Sequence, residues 1–162
     1  MLEITRAESK ENLAEVHGLL LEYEKWLGID LCFQNFDQEL ANLPGDYAPP
    51  EGRLLLAWEG SKIAGCVALR KITPEVCEMK RLFVRPEFRG KGLGRKLAVA
   101  VIEEAIKIGY KNMRLDTLPV MKEAIGLYQS LGFKETEAYR CNPVNGAMYM
   151  ELNLSEFSGK KL

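Results

Sequence analysis

The chain has 162 residues, 47% hydrophobic and 28% charged, and 22 basic against 23 acidic side chains leave a net charge of -1. At about 150 residues per domain this reads as one globular domain, able to bury a core without staples. The near-neutral balance argues against a nucleic-acid binder, which would show a basic face. A His-rich zinc site or a Ser-His-Asp triad would have to be built from His17 alone, and no metal site is expected.

Leu2–Arg6 reads as an edge strand, and Ser9 as the N-cap of a helix whose stripe is Leu13, Val16, Leu20, Tyr23 and Leu27, ended by Gly28. A shorter helix is expected over Asp37–Leu43, stopped by Pro44-Gly45, and Asp46–Gly52 reads as a loop. Strands follow at Arg53–Glu59 and Lys62–Arg70, joined by Gly60-Ser61. The next strand, Val76–Val84, alternates Val76, Glu78, Lys80, Leu82 and Val84 on one side against Cys77, Met79, Arg81 and Phe83 on the other. Beyond a glycine-rich loop comes a long helix buried through Leu97, Val101, Ala105 and Ile108 and capped by Gly109. The remainder predicts a strand at Met113–Thr117, a helix at Lys122–Leu131 capped by Gly132, and strands at Phe133–Ala138 and Ala147–Leu154. The whole is an α+β fold, a mixed sheet with flanking helices in the order β-α-α-β-β-β-α-β-α-β-β. Residues 1–154 form the expected domain, and Ser155–Leu162 a fraying polar tail.

Cys32, Cys66, Cys77 and Cys141 include no CxxC pair, and the start lacks a charged segment followed by an apolar run. They read as free thiols in a reducing cytoplasm. No apolar run approaches the length of a membrane span.

Arg89-Gly90-Lys91-Gly92-Leu93-Gly94 places three glycines between a strand and a helix. Glycine admits positive φ and close ligand approach, and the N–H groups of the helix start attract anions. Arg81, Arg85, Arg89, Lys91, Arg95 and Lys96 add positive charge, so the expected ligand carries a phosphate or pyrophosphate. A P-loop is excluded because no Gly-Lys-Ser/Thr occurs, and a dinucleotide GxGxxG fails on spacing. The bland alternative is a flexible turn with a solvated basic face.

The segment Glu78–Leu97, with its R-x-x-G-x-G loop, and a second block, Ala124-Ile-Gly-Leu-Tyr128-Gln-Ser-Leu-Gly132-Phe133, resemble the Gcn5-related N-acetyltransferase (GNAT) family. The order of elements is similar over roughly Leu2–Leu154, and the likeness is strongest from Met79 to Phe133. The resemblance implies a GNAT fold of about seven strands, mostly antiparallel, with about four helices. It implies acetyl-CoA as cofactor, its pyrophosphate on the N–H groups of Arg89, Gly90, Lys91, Gly92, Leu93, Gly94 and Arg95. The pantetheine arm would pair with Leu82, Phe83 and Val84 like an added strand. Ala124 and Tyr128 would complete the cofactor site. Met121 stands where many members carry Asn, which removes one polar cofactor contact.

Acyl transfer to an amine requires that an ammonium lose a proton and that the CoA sulfur leave or gain one. By resemblance Tyr128 is the acid. Glu78, eleven residues before Arg89, matches the glutamate of the histone-acetylating branch and is the expected base, directly or through water. The amides of Phe83 and Val84 would stabilise the developing oxyanion. The resemblance puts the acceptor pocket under the first two helices, where Trp26, Phe33, Gln34, Phe36 and Tyr47 lie near Asp30, Asp37 and Asp46, with Tyr139, Asn142 and Asn145 opposite. Aromatic rings beside carboxylates suit a cationic amine. The expected partner is a primary amine of a small molecule, amino acid or peptide, with no nucleic acid or membrane; dimers are common in the family. Two alternatives stand: a non-catalytic acyl-CoA-binding regulatory module of the same fold, and a nucleic-acid or phosphate binder using the Arg81–Lys96 cluster.

Overall fold

The computed structural model describes residues 2–28, 36–118, 121–139 and 146–157. Seven strands form one sheet in the order β1-β2-β3-β4-β5-β7-β6: β1 Leu2–Arg6, β2 Arg53–Glu59, β3 Lys62–Lys71, β4 Val76–Val84, β5 Asn112–Thr117, β6 Lys134–Thr136 and β7 Met148–Asn153. All neighbours run antiparallel except β4 and β5. The helices are α1 Lys10–Leu27, α2 Phe36–Ala41, α3 Leu93–Ile108 and α4 Lys122–Ser130. The expected α+β order and mostly antiparallel sheet are found.

Helix α1 begins where the Ser9 side chain accepts from the Asn12 N–H and ends at Gly28 in the left-handed conformation. It buries Val16, Leu19 and Leu20 against one face of the sheet, with Phe36, Tyr47, Leu54, Leu56 and Phe83; His17 is exposed. Helix α3 buries Leu93, Leu97, Ala98, Val101, Ile102 and Ala105 on the opposite face. A fully buried leucine contributes about 2 kcal/mol, so packing on the sheet holds these helices more than intrinsic propensity does.

Four expectations are corrected. Helix α2 starts at Phe36 and ends at Ala41, and a short 3-10 turn at Gly45–Tyr47 stands where loop is expected. Strand β6 keeps only Lys134–Thr136 of the expected six residues. The chain also does not leave the body at Ser155. The Asn153 side chain accepts from the Ser155 N–H, and Phe157 packs against the core.

The largest correction concerns β4. Cys66 opposes Phe83 and Ala68 opposes Lys80, so Val67 faces two residues, Arg81 and Leu82. Arg81 has φ 61. This β-bulge breaks the strict alternation. Cys77, Met79, Leu82 and Val84 all pack toward α3, whereas Phe83 packs toward α1. Gly65 on β3 permits the arrangement, because a Cβ there would stand 2.4 Å from the Phe83 carbonyl oxygen.

Candidate active site

The parallel pairing of β4 with β5 covers only Val76–Glu78 against Asn112–Arg114. Beyond Glu78 the two strands part. The edge of β4 from Leu82 to Val84 then borders a cleft of about 650 Å³. Leu82, Phe83, Val84, Arg89, Gly90, Gly92, Leu93, Gly94 and Ala124, all named from the sequence as cofactor residues, line it together, and so does Trp26.

The glycine loop runs from a short 3-10 turn, Pro86–Phe88, into α3. Gly90 and Gly92 have φ of 84 and 76, which other residues adopt only with strain. The first turn of α3 has no side-chain cap and no acidic residue to offset its positive dipole end, and its start, Gly92–Gly94, lines the cleft.

Arg89 is the one basic loop residue among the cleft's lining side chains. Its Nε donates to the Val84 carbonyl at 2.9 Å, and its guanidinium lies 4.5 Å from the Trp26 ring centre and 5.8 Å from that of Phe83. The expected gathering of positive charge is otherwise dispersed. Arg81 is buried in a bidentate pair with Glu39, Arg85 pairs with Glu22, Lys91 with Glu59, and Arg95 donates to the Ser130 hydroxyl.

Tyr128 is buried and does not line the cleft. Its position follows from how α4 ends. The Phe133 N–H donates to the Tyr128 carbonyl and the Gly132 N–H to that of Gln129, with Gly132 at φ 106, a Schellman turn. The turn brings the Phe133 ring edge-on to Tyr128 with centres 5.7 Å apart. Burial raises the Tyr128 phenol above its ordinary value, and Tyr23 and Asp116 raise it further. The group is therefore neutral in the working range and can give a proton.

Glu78 is fully buried, away from the cleft lining. Its Oε1 accepts from Arg70 Nε at 2.7 Å and its Oε2 from the Tyr139 hydroxyl at 2.6 Å. Tyr139 in turn meets the Tyr149 ring edge-on at 5.3 Å and lies under the Arg114 guanidinium.

The acceptor residues divide. Trp26 is half exposed. Phe36 and Tyr47 are core residues, Phe36 lying under the Arg81 guanidinium at 5.2 Å. Asp30, Phe33, Gln34, Asn142 and Asn145 lie outside the described residues, as do Cys32 and Cys141. Cys66 and Cys77 are free, and burial pushes both thiols up to about 12, the value of an inert packed thiol. Sequence reasoning missed Leu27, Lys122, Glu123 and Leu127 in the cleft. Leu127, three residues after Ala124 on one helix face, could have been found from spacing alone.

Among the described residues no group of His, Cys, Asp and Glu could hold a metal ion, and no helix is long and apolar enough to cross a membrane.

Comparison with known proteins agrees with this geometry. A profile of the acetyltransferase (GNAT) family matches residues 13–133. An uncharacterized N-acetyltransferase of Schizosaccharomyces pombe is 43% identical over 157 residues, covering 96% of each chain. A GNAT-family acetyltransferase from Staphylococcus aureus superimposes with a TM-score of 0.79 at 22% identity over 95% of this chain and 99% of its own. One from Elizabethkingia anophelis, solved with acetyl-CoA bound, gives 0.63 at 23% identity over 94% and 97%. An open β4 edge, a glycine loop feeding an uncapped helix and a matched family profile converge: the chain belongs to the GNAT family of acetyltransferases.

Proposed function

We propose that the protein is an acetyl-CoA-dependent N-acetyltransferase that acts on a primary amine of a small molecule, amino acid or peptide, by direct attack in a ternary complex. The observation that carries the reading is the unpaired β4 edge at Leu82–Val84, set in one cleft with the glycine loop. An extended amide-bearing arm can satisfy that edge, and a pyrophosphate can lie on the uncapped start of α3. The free thiols of Cys66 and Cys77 support a reducing cytoplasm.

When bound, acetyl-CoA supplies the acetyl group as an activated thioester. Leu82, Phe83 and Val84 orient the arm, and the N–H groups around Gly92–Gly94 hold the phosphates, with Arg89 as the nearest cation. Tyr128, kept neutral by burial, gives a proton to the departing sulfur. Glu78 is sealed from solvent, so a proton shed by the amine reaches it through the Tyr139 hydroxyl that already donates to it. Holding amine and thioester together supplies most of the rate.

The test is thiol release from acetyl-CoA across a panel of amines, with the product mass measured. Amine-dependent release and a mass gain of one acetyl group support the reading, with initial-rate lines that intersect. Binding of acetyl-CoA without turnover for any amine would leave a regulatory module instead.

Cofactor binding should also be visible in Trp26. An arm paired with the Val84 carbonyl competes with Arg89 Nε for the same oxygen, and a pyrophosphate draws the guanidinium off the Trp26 ring. Titration with CoA is expected to change tryptophan fluorescence in the wild type and in W58F, because Trp58 donates to Thr5 on β1. The response should vanish in W26F. An unaltered signal at saturating CoA would show that Arg89 stays in place.

A further inference from the structure

Thr117 closes β5 beyond the last pairing of β4 with β5, where the strands have parted, and it is 6% exposed. Among the described residues the acceptor of its hydroxyl is the Met121 sulfur, at 3.9 Å. A thioether is a weak acceptor, so this buried hydroxyl is held by much less than an oxygen would offer it. Met121 stands just before α4, half-buried, and lines the cofactor cleft with Leu82, Ala124 and Leu127.

The other sulfur atoms among the described residues are shielded or lie elsewhere. Met79, Met113 and Met150 are buried in the core under α3. Cys66 and Cys77 are buried as well, so neither presents the exposed thiolate that an oxidant attacks first. Met148 opposes Thr117 in the β5–β7 ladder and is half-buried like Met121, but it does not line the cleft. Oxidation turns a thioether into a polar, chiral sulfoxide whose oxygen accepts hydrogen bonds strongly. At Met121 the donor for that oxygen is already in place, on Thr117.

We propose that Met121 is an oxidation site for hydroperoxides, and that its sulfoxide weakens cofactor binding in the cleft. A sulfur lone pair attacks the terminal peroxide oxygen. The S–O bond forms as the O–O bond breaks, and the proton of the attacked oxygen moves to the departing one, which leaves as water or an alcohol. The sulfur is oxidised by two electrons and the peroxide reduced by two. The Thr117 hydroxyl then donates to the sulfoxide oxygen. A polar side chain now stands in the apolar wall of Leu27, Leu82 and Leu127, and burying it under the cofactor arm costs affinity. A bound arm in turn shields Met121. This rests on the acetyltransferase reading and names a regulation of its cofactor site.

The experiment treats the protein with hydrogen peroxide, with and without saturating desulfo-CoA, an analogue with no thiol to consume the peroxide. Dithiothreitol then returns disulfides and sulfenic acids to thiols and leaves methionine sulfoxide. Peptide masses are expected to show Met121 oxidised about tenfold or more faster than Met79, Met113 and Met150. The analogue should slow Met121 by about tenfold or more and leave Met148 within about twofold. By calorimetry the oxidised protein should bind CoA about tenfold more weakly than the untreated protein. M121L, which has no sulfur at this place, should bind CoA equally before and after the same treatment. Oxidation of Met121 no faster than that of the buried methionines overturns the proposal. So does equal protection of Met148, CoA affinity unchanged by oxidation of Met121, or an equal loss in M121L. Failure of the acetyltransferase reading shows separately, as absence of thiol release with every amine while peroxide still weakens CoA binding.

Discussion

Glu39→Gln should cost the fold about 3–5 kcal/mol, because it leaves the Arg81 guanidinium buried without a counter-charge. The Arg81 side chain is 3% exposed and that of Glu39 14%, and the two meet through Nε–Oε2 at 2.9 Å and Nη2–Oε1 at 2.8 Å. Burial alone would weaken the arginine's hold on its proton, but the Glu39 carboxylate outweighs it and raises the pKa above the ordinary arginine value. For a domain of this size the loss corresponds to roughly 6–20 °C in Tm, read by thermal unfolding. The double variant E39Q/R81M should regain much of it, because the stranded cation is gone. CoA affinity should fall in E39Q alone, because Arg81 is the bulge residue that turns Leu82 and Val84 toward the cleft. A Tm within 2 °C or so of wild type would mean that the Arg81 cation finds solvent.

Tyr128→Phe should reduce kcat by about 10²–10⁴-fold while Tm and CoA affinity stay near wild type, because one buried hydroxyl is lost and the ring is kept. The pH dependence follows from the direction of the shift. Burial raises the phenol above 10, so it is protonated at every pH below that value, and the ratio of wild-type to Y128F rates should be flat from pH 6 to 9. The stability linked to the shift has the same sign: it is fully present below pH 10 and is lost as pH rises through the folded pKa. Equal turnover by Y128F across that range would remove Tyr128 from the chemistry.

The strands and helices that carry the cofactor cleft were legible because each has a local signal. Ser9 and Gly28 bracket α1, the glycines announce the loop, and the period of Leu97, Val101 and Ala105 gives α3 its buried face. The bulge at Arg81 was not legible. An arginine at positive φ has no local signature, and its cause is non-local, in Gly65 across the ladder and Glu39 on α2. The reading of β4 therefore failed halfway along, at the step that turns Leu82 and Val84 toward the cleft. Charge patterning failed for a related reason. Arg85, Lys91 and Arg95 are close to the loop in sequence, but partners on α1, β2 and α4 turn them away from it.

The turn that ends α4 has a consequence for how such chains are recognised. The Tyr-x-x-x-Gly-Phe run is a stereochemical sentence about helix termination: glycine reverses the backbone, and phenylalanine folds back onto the ring five residues earlier. Natural selection for that shape alone would preserve every letter except one oxygen atom. A descendant that had given up catalysis and kept the cleft could carry the same run with phenylalanine at position 128 and remain just as recognisable. Under the role proposed for Tyr128, that oxygen is the smallest unit of sequence that separates a catalyst from its silent copy.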